Sequence, residues 1–144
     1  MVSAIEWKNN KVVMLDQSRL PSEVKFIECT DYRLVAEGIK KLWIRGAPAI
    51  GIAAAMGIAL AAQDIKARSF DEFIEGLEPA FKTMLSTRPT AVNIQWVVNR
   101  IKNLLDKNKE MQVPELKGLL VEEGQRILYE DIEANRAIGR FGAG

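Results

Sequence analysis

The chain has 144 residues, 20 Lys+Arg against 19 Asp+Glu for a formal net charge of +1, with 48% hydrophobic and 27% charged residues. These values suit one domain with a real core; they exclude wholesale disorder and give no general electrostatic reason to expect nucleic acid or an anionic membrane as partner. One Cys and no His exclude an internal disulfide, Ser-His-Asp or Cys-His catalysis and an imidazole or thiolate zinc site, leaving carboxylates, Lys, Arg, Tyr, one thiol and the backbone as chemistry.

In chain order, the first thirty residues read as strand. Ile5 with Trp7, then Val12-Val13-Met14-Leu15, then Val24 to Cys29 are short β-rich runs. Asn9-Asn10 signals a turn, and Leu20-Pro21-Ser22 breaks the chain before the third run. After Cys29 the period becomes helical. Thr30 or Asp31 can cap a helix that buries Leu34, Val35, Ile39 and Leu42. The next helix is expected from Pro48 to about Lys66. Residues 46–62 carry no charge, but 17 residues made mostly of Ala and Gly suit a buried helix of a soluble protein better than a membrane span. Ser69 with Glu72 forms a capping box ahead of Phe73, Leu77 and Leu85, and Pro79 is expected to kink or split that helix. Pro89 opens a helix through Ile94, Val97, Val98, Ile101, Leu104 and Leu105. The last helix is expected from Pro114 to Ile138, with Leu116, Leu120, Ile127, Leu128 and Ile132 as its core face. Gly118 and Gly124 weaken it by about 1 kcal/mol each against Ala. Gly139, Gly142 and Gly144 close the chain with no further element expected. The fold class is therefore mainly α: an antiparallel β-cap over 1–29 and a helical domain over 30–144, forming one structural unit.

Two loops share a design. In Ile44-Arg45-Gly46-Ala47-Pro48, an Arg and a Gly precede a Pro at a helix start; in Ser86-Thr87-Arg88-Pro89, an Arg directly precedes one. Proline suits the first helical position because its missing N–H would be unpaired there anyway, and it pushes the preceding residue into an extended conformation. The following N–H groups and the macrodipole attract an anion, and an upstream Arg adds a planar fork for phosphate oxygens. Gly46 leaves room for a ligand to approach the backbone. Each loop taken singly has a plainer account. Arg88 suits the C-terminal end of the preceding helix, Arg45 suits a solvated loop, and Gly46 suits the turn itself. The small residues Gly51, Ala53, Ala54, Ala55 and Gly57 read as close helix packing.

Other candidates point away from chemistry. Cys29 has no His and no flanking Lys or Arg to lower its pKa, so it reads as a structural thiol. Glu130, Asp131 and Glu133 read as a solvated face rather than a cation site. Trp7, Trp43 and Trp96 show no stacking pattern with basic residues and read as core. No signal peptide, Walker loop or G-x-G-x-x-G is present.

Several motifs together resemble a known family. They are Glu6-Trp7, Leu15-Asp16-Gln17, Leu20-Pro21, the Arg45 to Gly51 and Ser86 to Asn93 segments, and Tyr129-Glu130-Asp131-Ile132 with Asn135 and Ile138-Gly139. In that order they are similar to the methylthioribose-1-phosphate isomerase family, shared with the α, β and δ subunits of translation initiation factor 2B. The resemblance implies an aldose–ketose isomerisation of 5-methylthioribose 1-phosphate to 5-methylthioribulose 1-phosphate in methionine salvage, without metal or organic cofactor. It implies substrate binding by Arg45, Gly46, Ala47 and Arg88. It places the catalytic Cys and Asp in a Rossmann-like C-terminal domain, so no catalytic residue is expected in this chain, which is expected to be the N-terminal part of a longer protein and inactive alone. Cys29, Asp16 and Asp131 do not match the catalytic motifs. A cytoplasmic location and a homodimer of the full-length protein are further implications, with no nucleic acid or membrane partner. Two alternatives stay open: a ribose-1,5-bisphosphate isomerase using the same two arginines, and a regulatory or binding subunit like those of the initiation factor.

Overall fold

Asn9 and Asn10 both adopt positive φ, 52° and 59°, the pair of left-handed conformations that closes a two-residue hairpin. They join β1 (Ile5–Lys8) to β2 (Lys11–Leu15), and β3 (Phe26–Cys29) pairs on the far side of β2 to give an antiparallel sheet in the order β1-β2-β3. The computed structural model describes residues 5–17, 22–41, 47–87 and 92–142, with backbone alone at 47–48, 92–93, 132 and 134–142. Leu42, Trp43 and Pro89 therefore lie outside the described residues. The register stacks Ile5, Met14 and Ile27 in one row and Trp7, Val12 and Cys29 in the next. These rows alternate toward the core; Ile5, Val12, Met14 and Cys29 are at most 2% exposed. The third strand is shorter than expected. Val24 stays outside the ladder and exposed, because Asp16 N–H already bonds Lys25 C=O just past the end of β2.

Five helices follow among the described residues: α1 (Tyr32–Lys40), α2 (Ala47–Gln63), α3 (Phe70–Thr87), α4 (Val92–Asp106) and α5 (Val113–Gly142). Asp31, not Thr30, caps α1, its carboxylate accepting from Arg33 N–H at 2.8 Å. Helix α2 is the hub. Every residue from Gly51 to Ala62 is buried, because α1, α3, α4, α5 and the sheet all pack against it. Its composition explains how so many neighbours fit. A Cβ on Gly57 would run into the Met84 ε-methyl and stand 3.2 Å from Val35 Cγ1. A Cβ on Gly124 of α5 would stand 3.3 Å from Met56 Cγ, so these two helix backbones approach closely.

Two expectations about the helices are revised by the structure. Helix α3 is not split at Pro79 but runs unbroken through it. Pro79 is exposed, so water can satisfy the carbonyl that its missing N–H leaves unpaired. Phe73, Leu77, Ala80, Phe81 and Met84 meanwhile hold both halves of the helix in the core. Helix α5 continues past Ile138 to Gly142, so Gly139 and Gly142 are helical positions rather than a tail. Among the described residues no helix is long and apolar enough to cross a membrane.

Candidate functional site

Contacts between helices fix which ends of the bundle meet. Lys117 of α5 reaches the Gln63 carbonyl of α2 (Nζ to O, 3.2 Å), and Gly124 lies against Met56, so α5 climbs while α2 descends by an equal step. The same step again sets Asp131 level with Ala49, at the start of α2. Helix α3 also runs antiparallel to α2, with Gly76 against Ile65 and Met84 against Gly57. Its last residue, Thr87, thus points toward the start of α2, and α4 begins four connecting residues later at that same end. Lys102 over the Phe81 ring, 5.1 Å from its centroid, confirms that α4 turns back along α3. One end of the bundle therefore gathers the starts of α2 and α4, with the later part of α5 running past both.

The helix starts differ in charge. Helix α3 carries Asp71 and Glu72 in its first turn and α5 carries Glu115. The capping box of α3 forms, with Ser69 Oγ accepting from Glu72 N–H at 3.2 Å and Glu72 Oε2 accepting from Arg68 N–H at 2.9 Å. Helices α2 and α4 have no acidic residue in their first turns. Their positive dipole ends are not neutralised by carboxylates of their own first turns, which suits an external anion.

Of the residues singled out from the sequence, Arg45, Gly46 and Arg88 lie outside the described residues. Ala47 opens α2, where its backbone alone is described. The structure thus brings together the two helix starts that these residues adjoin. Ahead of Arg88, the hydroxyls of Ser86 and Thr87 close α3 by donating to the Thr83 and Met84 carbonyls at 2.8 and 2.6 Å.

A second polar cluster lies between α4 and α5. Arg100 Nε donates to Glu123 Oε1 at 2.7 Å, and its terminal nitrogens donate to both Glu130 oxygens at 2.9 and 3.1 Å. Arg126 stands 3.6 Å from the second Glu123 oxygen. Glu123 is only 3% exposed. The Arg100 guanidinium holds the Glu130 carboxyl below its ordinary range, and the hydrogen bonds it donates to Glu130 raise Arg100 further above its own. Trp96 lies one turn away with Arg100 over its ring, 5.3 Å from the centroid, and is 54% exposed. The reading of Trp96 as core is therefore wrong: its face of α4 is turned to solvent and carries a stacked basic residue. Glu130 is likewise more than a solvated acid. Sequence reasoning missed Arg100 and Glu123; the available signals were the spacing of Trp96 and Arg100 by four and of Glu123 and Glu130 by seven, each pair sharing a helix face.

Cys29 behaves as the sequence suggests. It is fully buried against Met14 Sδ at 3.7 Å, and burial pushes its thiol up to about 11, so it stays protonated near neutral pH. Among the described residues no group of three or more His, Cys, Asp or Glu could hold a metal ion.

This architecture recurs in solved proteins. A 5-methylthioribose 1-phosphate isomerase from Pyrococcus horikoshii matches with TM-score 0.93 and 44% identity, over 99% of this chain and 40% of its own. The translation initiation factor eIF-2B subunit delta from A. fulgidus matches with TM-score 0.89 and 39% identity, over 99% of this chain and 41% of its own. In sequence, a methylthioribose-1-phosphate isomerase of Geobacter sulfurreducens is 48% identical over 139 residues, which is 96% of this chain and 40% of that protein. The chain thus spans about 40% of the length of the curated relatives it matches. Residues 43–144, which hold both arginine–proline segments and all of α5, match the Initiation factor 2 subunit family (IF-2B), and the chain belongs to that family.

Proposed function

We propose that this chain supplies the phosphate-holding part of the substrate site in an aldose–ketose isomerase that converts 5-methylthioribose 1-phosphate to 5-methylthioribulose 1-phosphate, a step of methionine salvage. The observation that carries this reading is the meeting, at one end of the bundle, of two helix starts without first-turn carboxylates. Each directly follows a segment with an Arg, Arg45 before α2 and Arg88 before α4. In this reading the two guanidinium forks and the N–H groups near Gly46 and Ala47 hold the phosphate dianion and neighbouring hydroxyls. That fixes the sugar while carbon-bound protons are moved by groups outside this chain. The acid–base Cys and Asp of the whole protein then come from the larger part of the relatives' length that this chain does not span. The whole protein would work as a cytoplasmic homodimer.

The match to the initiation-factor delta subunit favours a second reading, in which the same helix starts hold a phosphate-bearing ligand as a sensor and no turnover follows. Calorimetric titration of 5-methylthioribose 1-phosphate onto this chain tests the site common to both. A charge-assisted hydrogen bond contributes about 1.5–3 kcal/mol, so Arg45→Ala and Arg88→Lys should each weaken binding by about ten- to a hundredfold. Lys at position 88 keeps the charge and loses the planar fork. Both variants binding like wild type would overturn the site. Assay of the unsplit protein for the ketose then separates isomerase from sensor.

A further inference from the structure

Arg100 stands two turns into α4, about 12 Å along the axis from the start of that helix. Glu123 and Glu130, seven residues apart, share one face of α5, and the single guanidinium holds both. Taking Glu123 out of water, at 3% exposure, is costly, and a buried ion pair returns little net stability. What such a pair does enforce is registry. A one-turn slide of α5 along α4, about 5.4 Å, would part the buried Glu123 from Arg100 and leave it, among the described residues, only the 3.6 Å ion-pair approach of Arg126 on its own helix. It would also leave Arg100 without one of its two carboxylates. Stacking on Trp96 fixes the guanidinium plane as well. The clamp ties together the two helices that continue to the phosphate end. Beyond it, α4 runs back to its start and α5 runs on past the start of α2.

We propose that Arg100 is a positioning residue of the sugar-phosphate site. It locks α5 against α4 so that the start of α4 and the later part of α5 keep a set spacing around the start of α2. The inference rests on the proposed function for what is positioned, while the clamp itself can be read without any ligand.

The test uses Arg100→Met and Arg100→Lys in the full chain, with two readouts. Calorimetry well below the melting temperature should show 5-methylthioribose 1-phosphate binding about tenfold more weakly to Arg100→Met. Arg100→Lys keeps the charge but loses the planar fork that bonds Glu123 through Nε and Glu130 through both terminal nitrogens, and should recover only a minor part of that loss. Amide hydrogen exchange should quicken by about tenfold in residues 92–98 and 130–142 and stay unchanged in α1 and α3. Should Arg100→Met fail to fold, Glu130→Gln gives the same pattern at about threefold in affinity, since it keeps the shape and loses the charge pair. Faster exchange with unchanged affinity would overturn the positioning role, and unchanged exchange would overturn the clamp. If wild type binds no sugar phosphate, the functional reading falls, and exchange alone then upholds or overturns the clamp.

Discussion

The two ends of the helical bundle solve the same electrostatic problem in opposite ways. At the end where α3 and α5 begin, the chain neutralises its own helix dipoles: Ser69 and Glu72 cap α3, Asp71 adds a charge, and Glu115 sits in the first turn of α5. There Lys117 also closes the last turn of α2 by donating to the Gln63 carbonyl, in a helix with no basic residue of its own in that turn. At the other end, α2 and α4 begin without a first-turn acid, each just after an arginine–proline segment in the sequence. Local capping stabilises a helix wherever the chain can supply it. At two starts that lie together the first turn carries no acid of its own, which points to an anion from outside. Stability and ligand binding should therefore respond to different ends.

The largest effect should come from making the second end resemble the first. Ala49→Asp places a carboxylate in the first turn of α2, at the position where α3 has Glu72. At about 5 Å from a phosphate and an effective dielectric near 20, the added repulsion is about 3 kcal/mol for each unit of phosphate charge, so affinity should fall by roughly a hundredfold or more. The melting temperature should move by only a few degrees, since the new charge favours the helix dipole by about 0.3–1 kcal/mol. Calorimetry beside thermal unfolding reads both quantities. The reverse pattern is expected at the capped end. Ser69→Ala should cost about 1 kcal/mol, or about 2–4 °C, and leave sugar-phosphate affinity unchanged. The smallest effect separates two glycines of one helix. Gly118 has nothing within 4 Å of a built Cβ, whereas Gly124 faces Met56 at 3.3 Å. Gly118→Ala should therefore stabilise by up to about 1 kcal/mol, while Gly124→Ala gains less because Met56 must shift; thermal melts of both variants check the order.

Much of the fold was legible because local rules and tertiary packing agree over most of this chain. Asn9-Asn10, the Asp31 and Ser69 caps and the periodic apolar residues of α1, α3 and α4 each state their role within a few neighbours. The misreadings occur where the outcome depends on which face meets solvent. Pro79 does not break α3, because its turn is wet on one side and pinned by Phe73 to Met84 on the other. Trp96 reads as core for want of a visible stacking pattern with basic residues; its neighbour Arg100 is committed to α5, and the ring is left outside as the surface on which that guanidinium stacks. Gly139 does not end α5, which runs on to Gly142, because helix propensity is a weak prior over a 30-residue element. At the candidate site the sequence shows the residue types, and helix direction shows that two distant starts belong together. For the Arg100 clamp the sequence shows only which residues share a helix face, Trp96 with Arg100 and Glu123 with Glu130; that the two faces meet has no local signature.

The direct measurement is a map of backbone amide shifts in the isotope-labelled chain during titration with 5-methylthioribose 1-phosphate, with inorganic phosphate as the reference anion. A site at the starts of α2 and α4 predicts saturable shifts at the non-proline amides of residues 45–50 and 88–94, larger with the sugar phosphate than with phosphate alone. The amides of residues 69–73 and 113–117, at the self-capped end, should stay still. Shifts confined to the capped end, or spread evenly over the surface, would contradict an anion site at the starts of α2 and α4.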